Sequence, residues 1–122
     1  MILGASSFAG RPGDLKEHVE SIELYLPKLG IYKGSTLEIE KLDRVLDEIS
    51  IHDFAYTVHA PYSAGDLKYP SALQVDTAKM SEREFTLMEE SISLAGRIGA
   101  PVVVLHPGRI GPDREKSYFS MV

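Results

Sequence analysis

The sequence predicts an α/β domain with a parallel sheet. Two observations carry this: apolar strand-like runs alternate with amphipathic helical stretches, and one run, Val102-Val103-Val104-Leu105, is unbroken. Repeated βα alternation favours parallel strands joined by helices. An uninterrupted apolar run is what a strand buried on both faces presents.

The totals fit that class. The chain has 122 residues, one domain's worth, with 43% hydrophobic and 25% charged residues. A formal charge of −5 argues against a broad basic face for nucleic acid, although a local basic rim can oppose the total. There is no cysteine, which excludes a disulfide framework, a thiolate metal site and a cysteine nucleophile. Any metal must be held by histidine and carboxylate. The first residues lack a basic region and a long apolar core, and no apolar run reaches the ~18 residues needed to span a bilayer. A cytoplasmic protein without a membrane partner is the expectation.

In chain order, Ile2 to Ser7 reads as a first strand, closed by Gly10-Arg11-Pro12-Gly13. Asp14 to Glu20 allows a turn or two of helix. Ser21 to Leu26 alternates in the strand sense and stops at Pro27. Gly30 and Gly34 punctuate a loop. Ser35 with Glu38 fits a capping box, and Leu42, Val45, Leu46 and Ile49 then make one apolar helical stripe. Asp43, Arg44, Asp47 and Glu48 take the solvated side. A third strand is expected from about Phe54 to His59.

A long loop follows from Tyr62 to Met80, a length usually functional or flexible. Ser81 and Glu84 form a second capping box. Behind it, Phe85, Met88, Ile92 and Ala95 are expected on the apolar face, with Gly99 ending the helix. The fourth strand comes next. Pro112 to Val122 looks like the start of a further helix, so the chain is expected to end inside an element.

Two strand ends share a design. Tyr56-Thr57-Val58-His59-Ala60-Pro61-Tyr62 and Val102-Val103-Val104-Leu105-His106-Pro107-Gly108 each carry a histidine followed by proline within two residues, 47 positions apart. A histidine there either caps the strand by bonding backbone carbonyls or serves a site. Glu23, on an inner strand, is costly to bury unless paired, so it is functional or bound to a cation. Arginine binds phosphate through a planar fork, which makes Arg11 and Arg109 candidate substrate anchors beside ordinary surface residues. Tyr62 can stack on a sugar or base, or pack under the long loop. His18 and His52 are assigned nothing.

His59-Ala60-Pro61-Tyr62 and His106-Pro107-Gly108, with Ile22-Glu23-Leu24 on the second strand, resemble the xylose isomerase-like TIM barrels. That superfamily includes sugar phosphate isomerases and epimerases and the endonuclease IV family. The resemblance implies the first four βα units, the amino-terminal half, of a (β/α)8 barrel, read as one domain over residues 1–122. Active sites of such barrels collect at the carboxyl ends of the strands.

The resemblance to endonuclease IV implicates His59 and His106 as metal ligands. A zinc site wants at least three protein ligands, so a carboxylate is missing, with Glu23 the candidate at comparable depth and Asp66 a weaker one. The family's later-strand ligands would lie beyond Val122. The favoured reading is a divalent-metal-dependent (zinc or manganese) isomerase or epimerase acting on a sugar or sugar phosphate. Glu23 is its candidate catalytic carboxylate, and Arg11, Tyr62 and Arg109 are its candidate substrate contacts. The alternative is a zinc-dependent phosphodiesterase acting on abasic-site DNA. Nucleic acid is the less favoured partner. A third reading is a non-catalytic truncated half barrel, whose open strand edges predict self-association.

Overall fold

The computed structural model describes residues 2–63, 75–108, 112–113 and 115–116. Its elements are β1 (Gly4–Ser6), α1 (Pro12–Leu15), β2 (Ser21–Tyr25), β3 (Tyr32–Lys33), β4 (Thr36–Leu37), α2 (Ile39–Ser50), β5 (Ala55–His59), α3 (Glu82–Ile98) and β6 (Val103–Val104). Strands β1, β2, β5 and β6 form one parallel sheet in that order, as βα alternation requires. Each strand thus adds beside its predecessor, with helices α2 and α3 making the last two crossovers.

The register sorts the side chains. Ile22 pairs with Tyr56, Leu24 with Val58, and Val58 with Val103, so all five occupy one face of the pleat. That face meets the helices. Leu42, Leu94 and Ala95 pack with Val58, and Ile49 packs with Ile22, Leu24 and Tyr56. Full burial of each large aliphatic side chain here contributes ~1.5–3 kcal/mol. The opposite face is mostly polar: Ser6, Glu23 and Thr57 lie in one row, and Tyr25, His59 and Val104 in the next. Alternation along β2 therefore separates a packing face from a chemical face.

Helix α2 carries the expected stripe, with Leu42 and Ile49 buried and Val45 and Leu46 partly so. Its start differs from expectation. Glu38 occupies the cap position and makes no side-chain cap, while Ser35 lies upstream and accepts from Arg83 Nε at 3.4 Å. The intervening loop is a small antiparallel hairpin, β3 with β4. It pulls Ser35 out of reach of the helix. Gly34 turns it with φ 61°, and Gly30 before it ends a 3-10 turn with φ 70°.

The second capping box is present: Ser81 Oγ accepts from the Glu84 amide, and the Glu84 carboxylate accepts from the Ser81 amide. Gly99 caps the other end in the left-handed region. The buried face, however, is Leu87, Met88, Ser91, Leu94 and Ala95, whereas Phe85 and Ile92 are exposed. The phase of the stripe is set by where α3 meets β5 and β6. Both 85 and 92 fall outside that contact.

The fourth strand is also corrected. Only Val103 and Val104 pair, both half-buried, and Val102 and Leu105 are 48% and 42% exposed. Among the described residues nothing pairs beyond β6. Of the segment expected to open a helix, only 112, 113, 115 and 116 are described. Glu115 and Lys116 have helical geometry, with the Lys116 amide donating to Asp113 Oδ1 at 2.9 Å. Most of the long loop, with Asp66, lies outside the described residues.

Candidate functional site

His59 closes β5, and Pro61 prevents the ladder from continuing. His106 stands two residues past Val104, on the same face, because side chains alternate with a period of two. The two imidazoles therefore converge. Their Nε2 atoms lie 2.9 Å apart, with ring planes 10° from parallel. Glu23 joins from β2: its Oε1 is 3.3 Å from His59 Nδ1. Its strand partner is Thr57, so the carboxylate reaches diagonally up to the histidine. Among the described residues no lysine or arginine pairs with Glu23; the histidine is its partner.

Aromatic rings wall this trio. Tyr25 meets His59 edge-on at 5.3 Å, and Tyr62 lies 5.6 Å from Tyr25 in near-parallel stacking. Tyr62 also leans on His106 at 5.1 Å. Phe8 stacks on Tyr25 at 4.7 Å and carries Lys28 Nζ at 5.4 Å from its centroid. The Tyr25 hydroxyl is buried without a hydrogen-bond acceptor or donor in bonding geometry among the described residues. Burial, reinforced by the Tyr62 phenol, pushes its pKa far up, so it stays a neutral donor. Burial and then the neighbouring His59 push the His106 pKa down, favouring a neutral ring able to ligate.

The strand ends are tied together by the segment after the long loop. The Val75 amide donates to the Tyr62 carbonyl at 3.0 Å, and Thr77 donates to the Pro107 carbonyl through both its amide and its hydroxyl. Residues 75–77 thus span the two histidine turns and fix their spacing.

Of the sequence candidates, Glu23, His59, His106 and Tyr62 come together. Arg11 does not join them: it is exposed and lines a separate cleft of ≈ 360 Å³ with Ser7, Lys28 and Glu48. Arg109 lies outside the described residues. Tyr25 and Phe8 were missed, although Tyr25 was findable, since it follows Glu23 by two positions on an alternating strand. Phe8 sits in a turn and gives no periodic signal.

Two imidazole nitrogens 2.9 Å apart are close enough to share a divalent ion, each needing a metal–nitrogen distance of ~2.0–2.1 Å. No group of three histidine, cysteine, aspartate or glutamate side chains arranged for a metal occurs among the described residues. Two imidazoles alone fall short of the three protein ligands that a zinc site takes. No helix among the described residues is long and apolar enough to cross a membrane.

No family model and no curated protein matches the sequence. Among solved structures, the chain is similar to one described as the crystal structure of a D-tagatose 3-epimerase-like protein. The match has a TM-score of 0.58 and 21% identity, covering 99% of this chain and 43% of that one. The fold is that of about half of a TIM-type (β/α)8 barrel. At this identity the likeness establishes architecture, and the chain spans less than half of the neighbour's length. In such a barrel the polar face carrying Glu23, His59 and His106 is the interior, open at the carboxyl ends of the strands.

Proposed function

We propose that the intact barrel containing this chain is a divalent-metal-dependent isomerase or epimerase acting on a sugar or sugar phosphate. The observation that carries this reading is the convergence of Glu23, His59 and His106 on the polar inner face at the strand ends. A neighbour described as epimerase-like supports the choice of substrate class.

In this reading His59 and His106 supply two imidazole ligands to zinc or manganese, and further ligands come from elsewhere in the barrel. The ion would polarise carbonyl and alkoxide oxygens of the sugar. The chain's own groups do the rest. Tyr62, partly exposed and backed by the buried Tyr25, offers the aromatic face that excludes water and stacks on a sugar ring. Glu23 does not reach the open face itself: its Oε1 lies against His59 Nδ1, so its part in the reaction runs through that ring. Of the two arginines, Arg109 stays the candidate phosphate anchor, because Arg11 lines a cleft away from the trio. The outer edges of β1 and β6 lack partners among the described residues, with Ile2, Leu3, Val102 and Leu105 exposed beside them. Pairing with further strands, including those of a second copy, belongs to the same reading.

The test is turnover of a panel of ketoses and their phosphates by metal-loaded protein. Epimerisation or aldose–ketose exchange that disappears on chelation is the expected result. Absence of any conversion, with cleavage of abasic-site DNA instead, would transfer the site to phosphodiester hydrolysis.

A further inference from the structure

The proton positions in the trio follow from its geometry. An ionised carboxylate only accepts hydrogen bonds, so His59 Nδ1, at 3.3 Å from Glu23 Oε1, must be the protonated nitrogen. In a neutral ring that leaves His59 Nε2 as a bare lone pair. His106 Nε2 lies 2.9 Å from it, and two lone pairs cannot face each other at that distance, so His106 donates. The opposite order would set a His59 lone pair against the carboxylate. Glu23 is 35% exposed and His59 only 16%, so the carboxylate keeps access to water while the imidazole is held inside.

We propose that Glu23 is a positioning residue that acts through His59. It locks that ring in the Nδ1–H tautomer and so reserves Nε2 for a ligand in the site. A carboxylate behind a ligating histidine fixes tautomer and ring orientation and raises ligand basicity, and its loss commonly weakens metal binding 10–100-fold. Thr57, the residue opposite Glu23 in the ladder, keeps the carboxylate's row polar and short, so that Glu23 can lean up to His59. His106, by contrast, has to move its proton from Nε2 to Nδ1 before it can ligate from Nε2. The two histidines are thus unequal. One is ready for a ligand, and the other must rearrange.

The experiment is two-bond proton–nitrogen correlation NMR on the full chain labelled in histidine, recorded at a pH above the imidazole range. The expected wild-type spectrum shows His59 protonated at Nδ1 and His106 at Nε2. E23L should shift His59 to the Nε2–H form or a mixture, and E23Q, whose amide oxygen still accepts, should keep the wild-type tautomer. Wild-type His59 found as Nε2–H or doubly protonated overturns the proposal, as does an E23L spectrum unchanged at His59. The wild-type spectrum decides even if a variant fails to fold. A second arm rests on the metal reading above: zinc affinity by chelator competition should fall roughly tenfold or more in E23L and change little in E23Q. Equal zinc affinity in E23L and wild type also overturns the proposal. If wild-type protein binds no zinc, the metal reading fails while the tautomer result stands.

Discussion

Thr77 and Pro107 lie 30 residues apart and are joined twice, the Thr77 hydroxyl reaching the Pro107 carbonyl at 2.7 Å and its amide reaching the same oxygen at 3.1 Å. This carbonyl directly follows His106, so the tie sets the direction of the imidazole. Replacing Thr77 with valine keeps the shape and the amide bond but removes the hydroxyl. The bond is solvent-exposed, so the expected loss is at the low end for a hydrogen bond, ~0.5–1 kcal/mol by urea denaturation. The more telling readout is the His106 ring resonances. They should move while those of His52, outside the site, do not.

Gly108 makes a sharper case. It adopts φ 120°, and a Cβ there would lie 2.8 Å from Asp76 Oδ1 and 3.0 Å from Asp76 Cα. The backbone atom cannot swing away as a side chain can. Gly108→Ala is therefore expected to destabilise by ~1–3 kcal/mol, from backbone strain plus displacement of the 75–78 segment. Gly96, in α3, provides the contrast, since nothing lies within 4 Å of its added Cβ. Gly96→Ala should stabilise by ~0.5–1 kcal/mol through helix propensity. Thermal unfolding of the two variants should shift in opposite directions.

Much of this was readable from the residues. The alternation Ser21-Ile22-Glu23-Leu24-Tyr25 announced both faces of β2, and the two histidine-proline endings announced where strands stop. What failed had a common physical origin. The Ser35 box and the Phe85–Ile92 stripe were local patterns, and each was overridden by a tertiary contact: a hairpin carried Ser35 away, and sheet contact chose a different face of α3. The run from Val102 to Leu105 looked doubly buried because apolarity does not say how many neighbours a strand has. Within the site, pairing of Glu23 with His59 rather than with a cation required the register. Strand spacing alone cannot supply a diagonal.

The pair of imidazoles predicts a specific pattern of metal content. Protein kept from chelators should carry zinc or manganese, and His59→Ala and His106→Ala should each lower the bound fraction by an order of magnitude or more. Loss of one ligand from a small set removes a large share of the binding free energy. His18→Ala and His52→Ala should leave it unchanged, as these rings lie outside the trio. Elemental analysis of the four variants checks this, and equal metal in all of them would sink the assignment.

Away from the site, α3 carries a half-buried charge whose pH signature can be worked out. Glu90 Oε1 is 3.8 Å from Arg83 Nη1, and its Oε2 is buried with no hydrogen-bond partner among the described residues. Burial raises its pKa above the ordinary 4.5, and the Arg83 guanidinium opposes that rise without cancelling it. A folded pKa above the unfolded one means that the native state holds the proton longer. The associated stability is present below the unfolded value and is lost as pH rises through the folded one. Glu90→Gln cannot ionise, so its stability relative to wild type should climb between acid and neutral pH. The Arg83 attraction acts only on the ionised carboxyl, so it moderates the climb, and its share is already contained in the net upward shift. Urea denaturation of both proteins across that range measures the difference, and a flat difference would mean that burial does not control this carboxyl. Tyr32, whose pKa is raised by burial and then by the Glu90 charge, should titrate at lower pH in the same variant.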